Sequence, residues 1–383
     1  MSLSNNPRIA IVHDWLVTYA GAERVLEKML LCYPEADLFS IVDFLDKDNR
    51  GFIQNKKVTT SFIQKLPFSK KKFRSYLAVM PIAVEQFDLS SYDIIISSSH
   101  AIAKGVITGP DQLHICMCYS PMRWAWDMQN IYLQESNLSS GIKSWIAKYI
   151  LHKLRIWDYR TANGVDEFIA ISNYISRRIH KIYRRESFVI YPPVNVEYDS
   201  NSINKQDFYL TASRMVPYKN IPLIIKAFSQ MPDKKLIVIG DGPEYRKCKQ
   251  LQSDNITILG YQTSNVLYDY MHRAKAFVFA AEEDFGITPL EAQACGTPVI
   301  AYGKGAVKET IIGLDKEKPT GIFFDFQTTE SIISTVDLFE SESDKFLSEN
   351  CRENAARFNE ERFHLEFMNF VNLAVSKKSD SIL

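Results

Sequence analysis

The sequence predicts an α/β chain built as two doubly wound parallel-sheet domains. Three observations carry this expectation. Short runs rich in Ile, Val and Phe alternate with longer helix-like stretches, the alternation runs through twice, and the two halves meet at a double proline. In the first half the strand-like runs are Arg8–His13, Asp93–Ser97, His114–Cys118, Phe168–Ile171 and Phe188–Ile190. In the second they are Phe208–Ala212, Leu236–Ile239, Ile256–Leu259, Ala276–Ala280, Pro298–Ala301 and Gly321–Phe324. Tyr191-Pro192-Pro193-Val194-Asn195 marks the boundary, because consecutive prolines break both helix and strand. The expected domains are therefore 1–195 and 196–359, followed by a C-terminal helix in 360–383, over Glu360–Val375, with no strand after it.

Composition narrows the class. The 383 residues are 46% hydrophobic and 23% charged, which is ordinary for a globular chain and excludes general disorder. No stretch approaches the about 20 apolar residues of a membrane-spanning helix. The N-terminal Met1–Arg8 has no apolar core of the kind a secretory signal carries. Cys32, Cys116, Cys118, Cys248, Cys295 and Cys351 lack metal-site spacing, so reduced thiols in a cytoplasm are expected and no metal is assigned. Cys116 and Cys118 alternate along a strand and read as core.

The net charge of +0 hides an asymmetry: residues 1–195 hold 24 Lys and Arg against 18 Asp and Glu, and the remainder holds 21 against 27. Lys65, Lys70, Lys71, Lys72 and Arg74 form a cluster without an acid, among Phe68, Phe73 and Tyr76. Ile142–Arg160, with Trp145, Tyr149 and Trp157, repeats that mixture. Cations interleaved with aromatic residues suit an anionic membrane surface, and an ordinary amphipathic helix is the alternative. The charge is local and no recognition module accompanies it, so nucleic acid is not an expected partner.

In open α/β sheets ligands lie beyond the carboxyl ends of the strands, so the segments that follow the strands hold the candidate chemistry. Ala281–Val299 is the most informative. A strand leads to a turn at Gly286, a helix starts near Pro289, and Gly296 stops it. Free N–H groups at Gly286, Ile287 and Thr288, following Phe285, make a phosphate site with the helix dipole. Glu283 and Glu291 flank the turn, and carboxylates there suit sugar and ribose hydroxyls. After the first strand of the second half, Arg214 and Lys219 can neutralise a diphosphate. Gly21 lies at a helix start in His13–Val25, and a single glycine there reads by itself as structural. His100 reads either as touching sugar hydroxyls or as capping its strand, and Gly240-Asp241-Gly242-Pro243 reads as a tight turn.

Glu283-x7-Glu291 within Glu-Asp-Phe-Gly-Ile-Thr-Pro-Leu-Glu-Ala-Gln-Ala-Cys-Gly-Thr-Pro-Val resembles the signature of glycosyltransferase family 4, whose fold is GT-B, two Rossmann-like domains facing a central cleft. Ser213-Arg214-Met-Val-Pro-Tyr-Lys219-Asn is similar to the family's Gly-Arg-Leu-x-x-x-Lys-Gly element, with Ser213 and Asn220 in place of the glycines. Ala20-Gly21-Ala22-Glu23 is similar to its Gly-Gly-x-Glu loop, with Ala20 in place of the first glycine. Ser97–Gly105 and Cys118–Asp127 resemble bacterial O-antigen and capsular polysaccharide mannosyltransferases. The resemblance covers about residues 8 to 360.

That resemblance implies a retaining transferase that needs no divalent metal. The second domain would hold a nucleotide sugar, GDP-mannose favoured, and the first a lipid-linked oligosaccharide acceptor. The last helix would pack back on the first domain. Arg214 and Lys219 would stabilise the departing diphosphate, Glu283 would hold donor-sugar hydroxyls, and Glu291 the ribose diol. His100, Tyr119 and Arg123 would contact acceptor or sugar. Relatives carry His where this chain has Tyr119, and tyrosine is not a base near neutral pH. A UDP-sugar transferase and a catalytically silent sugar-nucleotide-binding subunit are the alternatives. The implied location is cytoplasmic, peripheral on the inner face of a membrane through Lys65–Arg74.

Overall fold

The computed structural model describes residues 7–196 and 204–382. Met1–Asn6, where the sequence lacks a signal-like apolar stretch, lies outside the described residues, as do 197–203 at the start of the expected second domain. The chain forms two compact units. One holds the chain up to Tyr191 together with the chain from Phe363, and the other holds Pro192–Arg362.

The first unit is a seven-stranded sheet of β1 (Ile9–His13), β2 (Asp37–Ser40), β3 (Val58–Thr60), β4 (Ile94–Ser99), β5 (Leu113–Cys118), β6 (Glu167–Ala170) and β7 (Phe188–Val189). Their order is β3-β2-β1-β4-β5-β6-β7 and every pairing is parallel. The second unit has β8 (Tyr209–Ala212), β9 (Leu236–Ile239), β10 (Ile256–Gly260), β11 (Ala276–Phe279), β12 (Val299–Tyr302) and β13 (Gly321–Phe324) in the order β10-β9-β8-β11-β12-β13, again all parallel. β2 and β3 were not among the strands read from the sequence. They are four and three residues long, and β3 is only partly covered, so neither leaves a continuous apolar run.

In each sheet the winding reverses once, between β1 and β4 and between β8 and β11. A crevice opens at such a reversal, outside the carboxyl ends of the two strands. The residues that follow β1, β4, β8 and β11 are the ones the fold brings to those crevices.

Strand β4 ends in three buried serines, and each is hydrogen-bonded, as burial of a hydroxyl requires. Ser97 Oγ is 2.9 Å from His114 Nε2, Ser98 Oγ is 2.9 Å from His13 Nδ1, and Ser99 Oγ accepts from the Lys104 N–H at 3.3 Å. His114 is fully buried, and burial above all pushes its pKa down to about 4, so it stays neutral.

Lys104 and Asp158 form a buried ion pair at 2.7 Å. The ammonium also donates to the Asp158 carbonyl and to Thr161 Oγ1, at 2.8 and 2.9 Å. The carboxylate takes two further donors, Trp126 Nε1 at 2.7 Å and the Tyr183 hydroxyl at 2.9 Å. Lys104 and Trp126 belong to the segments that resemble mannosyltransferases, and here both tie those segments to the helix Gly141–Thr161. Trp157 of that helix turns inward and donates to Glu85 Oε1 at 2.7 Å. It fills the space beside Gly105, where an added Cβ would lie 2.2 Å from its ring.

The last helix, Glu360–Ile382, buries Phe363, Phe367, Phe370, Val371 and Ala374, a stripe at helical spacing. Phe367 meets Tyr33 and Phe370 stacks on Phe188, with ring centroids 6.2 and 5.2 Å apart.

Removing one member of a buried pair leaves the other charge uncompensated, at a cost of about 3–5 kcal/mol. Lys104→Met is expected to destabilise the first unit by that amount in denaturant unfolding. Lys104→Met/Asp158→Leu is expected to recover part of the loss, and equal losses in the two variants would show that the pair is not the origin.

Candidate functional site

In the first unit the chemistry gathers around Asp14, the residue after β1. Its side chain is fully buried, and its carboxylate accepts four successive backbone N–H groups. His100 and Ala101 donate to Oδ2 at 2.6 and 3.1 Å, and Ile102 and Ala103 to Oδ1 at 2.6 and 2.7 Å. His100 Nδ1 lies 2.9 Å from the same carboxylate. Burial opposes the charge on Asp14, but the His100 charge and the hydrogen bonds outweigh it and hold the carboxyl well below its ordinary range. The same balance runs the other way at His100. Burial disfavours its proton, the Asp14 and Glu23 charges favour it, and its pKa is raised despite Arg74. The ring stands edge-on to Trp15, centroids 4.7 Å apart, with 32% of its side chain exposed.

A second buried chain runs beneath it. Ser98 Oγ is 2.8 Å from the Tyr119 hydroxyl, and that hydroxyl donates to the Ala22 carbonyl at 3.2 Å. His13 Nε2 is 3.6 Å from Glu23 Oε1, and the other Glu23 oxygen accepts the Ala20 N–H at 3.0 Å, where the helix Gly21–Cys32 begins. Burial pushes the Tyr119 pKa far up, with help from the Glu23 and Asp14 charges, so the hydroxyl keeps its proton. Tyr119 is 7% exposed. Its hydroxyl is committed within the fold, which leaves little of it to contact a sugar.

In the second unit Lys219 and Glu283 are brought into an ion pair across the reversal between β8 and β11, each side chain about 15% exposed. The ammonium also sits 5.4 Å from the centroid of Phe279. Asn220, at φ 54°, turns the chain into the helix Ile221–Phe228. Glu283 is fixed through its backbone. Its carbonyl accepts the Ala306 N–H at 3.0 Å, and a Cβ at Gly305 (φ +88°) would come within 2.6 Å of that oxygen. Gly286, at φ +90°, precedes the helix Ile287–Ala294. The helix starts two residues earlier than the sequence indicated, so Pro289 stands third in it, within the first turn, where its missing N–H costs no helical hydrogen bond. At the other end Gly296 N–H reaches Gln293 O at 2.8 Å and Thr297 N–H reaches Ala292 O at 2.9 Å, a Schellman stop.

The remaining candidates are placed less uniformly. Arg214 is exposed on the loop after β8, and Gly21 is the first residue of its helix. Ile287 and Thr288 are half-buried. The Phe285 side chain is buried against Phe358, centroids 5.8 Å apart, so any donor contact from it comes from its main chain. Glu291 is buried and accepts from the Tyr268 hydroxyl at 3.2 Å. Arg123 is half-buried, its Nε 3.1 Å from Met128 Sδ.

Sequence reasoning missed Asp14 as a site residue, because a lone acid after a strand gives no sign of complete burial. It read Gly240–Pro243 as a tight turn, without the close packing that the two glycines allow. Cβ atoms at Gly240 and Gly242 would lie 1.9 Å from the Ser213 carbonyl oxygen and 2.6 Å from that of Met215. Met215 in turn donates to the Asp241 carbonyl at 2.8 Å. The two glycines thus seat the loop that carries Arg214.

Comparison with known proteins places this geometry in a class. Residues 197–358 match the family model of glycosyl transferases group 1, which covers most of the second unit and less than half of the chain. A glycosyltransferase of Methanocaldococcus jannaschii whose activity is uncharacterized is 28% identical over 235 residues, 58% of this chain and 63% of that protein. The GDP-mannose-dependent monoacylated alpha-(1-6)-phosphatidylinositol monomannoside mannosyltransferase of Corynebacterium glutamicum is 34% identical over 114 residues, 26% of this chain and 30% of that protein. These alignments thus span less than two thirds of the relatives' own length. An Anabaena protein crystallised with UDP and glucose is similar over 96% of this chain and 100% of its own, with a TM-score of 0.67 at 16% identity. Sucrose-phosphate synthase of Thermosynechococcus elongatus gives 0.68 at 16% identity, over 97% and 100%. The fold is α/β of the GT-B type, two Rossmann-like parallel-sheet units. Together the matches support a glycosyltransferase.

The Asp14–His100 pair links stability to pH. A raised His100 pKa contributes stability that is complete below its ordinary value of 6.5 and is lost as pH rises through the folded-state value. The lowered Asp14 pKa acts at the acid end, where its contribution is lost as pH falls. Melting temperature followed by calorimetry from pH 6 to 9 is expected to decline, and His100→Gln to flatten the decline. An unchanged slope in that variant would assign the effect to another group.

Proposed function

We propose that the chain is a retaining glycosyltransferase that moves a hexose, mannose from GDP-mannose, onto a lipid-linked oligosaccharide in bacterial O-antigen or capsular polysaccharide synthesis. The observation that carries the reading is the Lys219–Glu283 pair beside the Gly286 turn, within a stretch matched by the glycosyl transferases group 1 model. A sugar diphosphate has two ends of different chemistry. Its hydroxyls suit a carboxylate, and its diphosphate suits an ammonium, a guanidinium and free helix N–H groups. Glu283 takes the hexose hydroxyls, Glu291 the ribose diol, and Lys219, Arg214 and the N–H groups of Gly286, Ile287 and Thr288 take the diphosphate; Gly21 is also assigned to the donor. His100 and Arg123 serve acceptor or sugar.

In the reaction the bond from the anomeric carbon to the diphosphate oxygen breaks, and the acceptor oxygen bonds to that carbon on the same face. The acceptor's proton passes to the departing phosphate oxygen, so no side chain is needed as base. Charge on the leaving group grows as the bond breaks, and fixed cations act most strongly there. The mannose choice draws support from the mannosyltransferase names among the relatives. A UDP-sugar donor is the second reading, favoured by the UDP bound in the Anabaena neighbour.

The membrane contact is assigned to Lys65–Arg74, on the cytoplasmic side. Lys70 and Lys71 are exposed there, as is Phe68 at 79%. Phe73 is instead buried, with the Arg74 guanidinium 4.9 Å above its ring. Among the described residues no helix is long and apolar enough to cross a membrane, so the attachment proposed is peripheral.

Thermal shifts across GDP-, UDP-, ADP- and dTDP-sugars are expected to single out the GDP-hexose. With that donor, Lys219→Met is expected to lower kcat by about 10²–10³-fold while changing donor affinity far less. Glu291→Ala is expected to weaken donor affinity in calorimetry with the fold intact. Equal losses of affinity and turnover in Lys219→Met would make it a plain binding residue. For the membrane contact, co-sedimentation with anionic vesicles is expected to fall at 1 M salt, where the Debye length is about 3 Å, and in Lys70/Lys71/Lys72→Glu. Equal sedimentation with neutral vesicles would remove that assignment without touching the catalytic one.

A further inference from the structure

The second unit contains a cavity of about 620 Å³ at the ends where its strands begin. Phe208 precedes β8, Lys235 precedes β9 and Asn255 precedes β10, and all three line it. Lys219 and Glu283 follow the far ends of β8 and β11. Four residues of strand span about 13 Å, so the cavity lies apart from the site assigned to the donor. Its volume is within the about 300–1,000 Å³ of ordinary small-molecule sites.

Both walls are held by the fold itself. One is the turn that carries Pro232 and Asp233, closed by the Lys234 N–H on the Met231 carbonyl at 3.0 Å. The Asn255 amide nitrogen lies 2.8, 3.0 and 2.8 Å from the carbonyl oxygens of Phe228, Met231 and Lys234, which fixes that turn. On the other side the Gln206 N–H donates to the Arg273 carbonyl at 2.7 Å, and Arg273 Nη1 donates to Gln206 Oε1 at 3.3 Å. The floor is apolar. Tyr270 meets Phe208 edge to face, with centroids 6.0 Å apart, and Ile237 completes it. Thr257, exposed on the edge strand β10 and paired in register with Ile237, forms the outer rim.

The polar groups around that floor are of both signs. Asp233 and Asp254 accept hydrogen bonds, Lys235 and Arg273 donate them, and Gln206 does both. An ion of either sign would meet its like among them. Hydroxyls on neighbouring ring carbons both donate and accept, and a pyranose presents a face of C–H groups to an apolar floor. We propose that this cavity is a second carbohydrate site, which takes a neutral oligosaccharide by its hydroxyls and its ring face. On the glycosyltransferase reading that ligand is the glycan being extended, held by residues that take no part in the transfer. The binding itself does not depend on that reading.

The probes are mannotriose, maltotriose and cellotriose, with inorganic phosphate and spermidine as charged arms and calorimetry as readout. Saturable binding of at least one trisaccharide is expected, tighter than that of phosphate or spermidine. Thr257→Trp places an indole in the cavity from an exposed strand position and is expected to weaken that trisaccharide about tenfold or more. Asp254→Ala removes an exposed acceptor, is expected to weaken it severalfold, and decides the matter should Thr257→Trp fail to fold. Lys219→Met is expected to leave the affinity unchanged, and a loss there would place the trisaccharide in the donor site and overturn the proposal. Binding of none of the three, tighter binding of phosphate or spermidine, or unaltered affinity in the folded cavity variants overturns it as well. Donor thermal shifts and turnover are followed in parallel. Their absence would defeat the glycosyltransferase reading, whereas their presence without trisaccharide binding would defeat only the second site.

Discussion

The Asp14 carboxylate has no access to water and remains ionised, and the first unit is arranged to keep it so. Four consecutive backbone N–H groups, from His100 to Ala103, converge on its two oxygens, and the His100 imidazole supplies the opposing charge. An uncompensated charge at that depth would be prohibitive. The chain after β4 therefore has to wrap around the residue after β1. That wrapping sets where Lys104 enters, and Lys104 in turn holds Asp158, Trp126 and the helix Gly141–Thr161. The strand-order reversal between β1 and β4 creates the opening, and the buried carboxylate fixes the shape of its rim.

The second unit meets the same constraint with the signs exchanged. The acid follows the first strand in one unit, whereas Lys219 does so in the other. The imidazole follows the fourth strand of its sheet in one unit, and Glu283 follows the fourth strand of its sheet in the other. In both, the first and fourth strands are neighbours with opposite winding on either side. Their trailing loops are forced together, and polar groups placed there lose water and must find each other. The difference lies in how exposure is shared. Asp14 is sealed while its partner His100 keeps 32% of its side chain exposed, whereas Lys219 and Glu283 each keep about 15%. In the first pair the acid is a structural tie and only the imidazole can be reached.

How much of this could be read from the sequence follows from what each residue's role depends on. The long buried strands were legible because a strand covered on both faces must be continuously apolar. β2 and β3 were not, being short and, for β3, partly exposed. The turn at Gly286 and the stop at Gly296 were legible because each needs a left-handed backbone, at φ +90° and +72°, which glycine adopts without strain. The seat formed by Gly240 and Gly242 was not, since close approach to Ser213 and Met215 depends on a neighbour far along the chain. Asp14 and Asp158 escaped for the same reason. Burial of an acid is a tertiary fact, and nothing local distinguishes it from a solvated one. Tyr119 shows the converse, a residue noticed because it departs from a family pattern. Its commitment to Ser98 and Ala22 depends on partners 21 and 97 positions away.

On the proposed reading, the Lys219–Glu283 pair also holds two charges in place for a charged ligand. Two isolated charges at such low exposure would each be costly, and pairing offsets much of that cost while fixing both groups. The Glu283 main chain is further held where its carbonyl accepts the Ala306 N–H, which fixes the point from which the side chain extends. In the proposed reaction the arriving diphosphate gives Lys219 a second anion. Glu283 then turns its acceptor capacity to sugar hydroxyls, which donate hydrogen bonds without adding charge. Neither side chain needs a new backbone position for the exchange. Groups aligned before the charge develops stabilise it without reorganising as the bond breaks, and this is where fixed electrostatics gains its advantage over water.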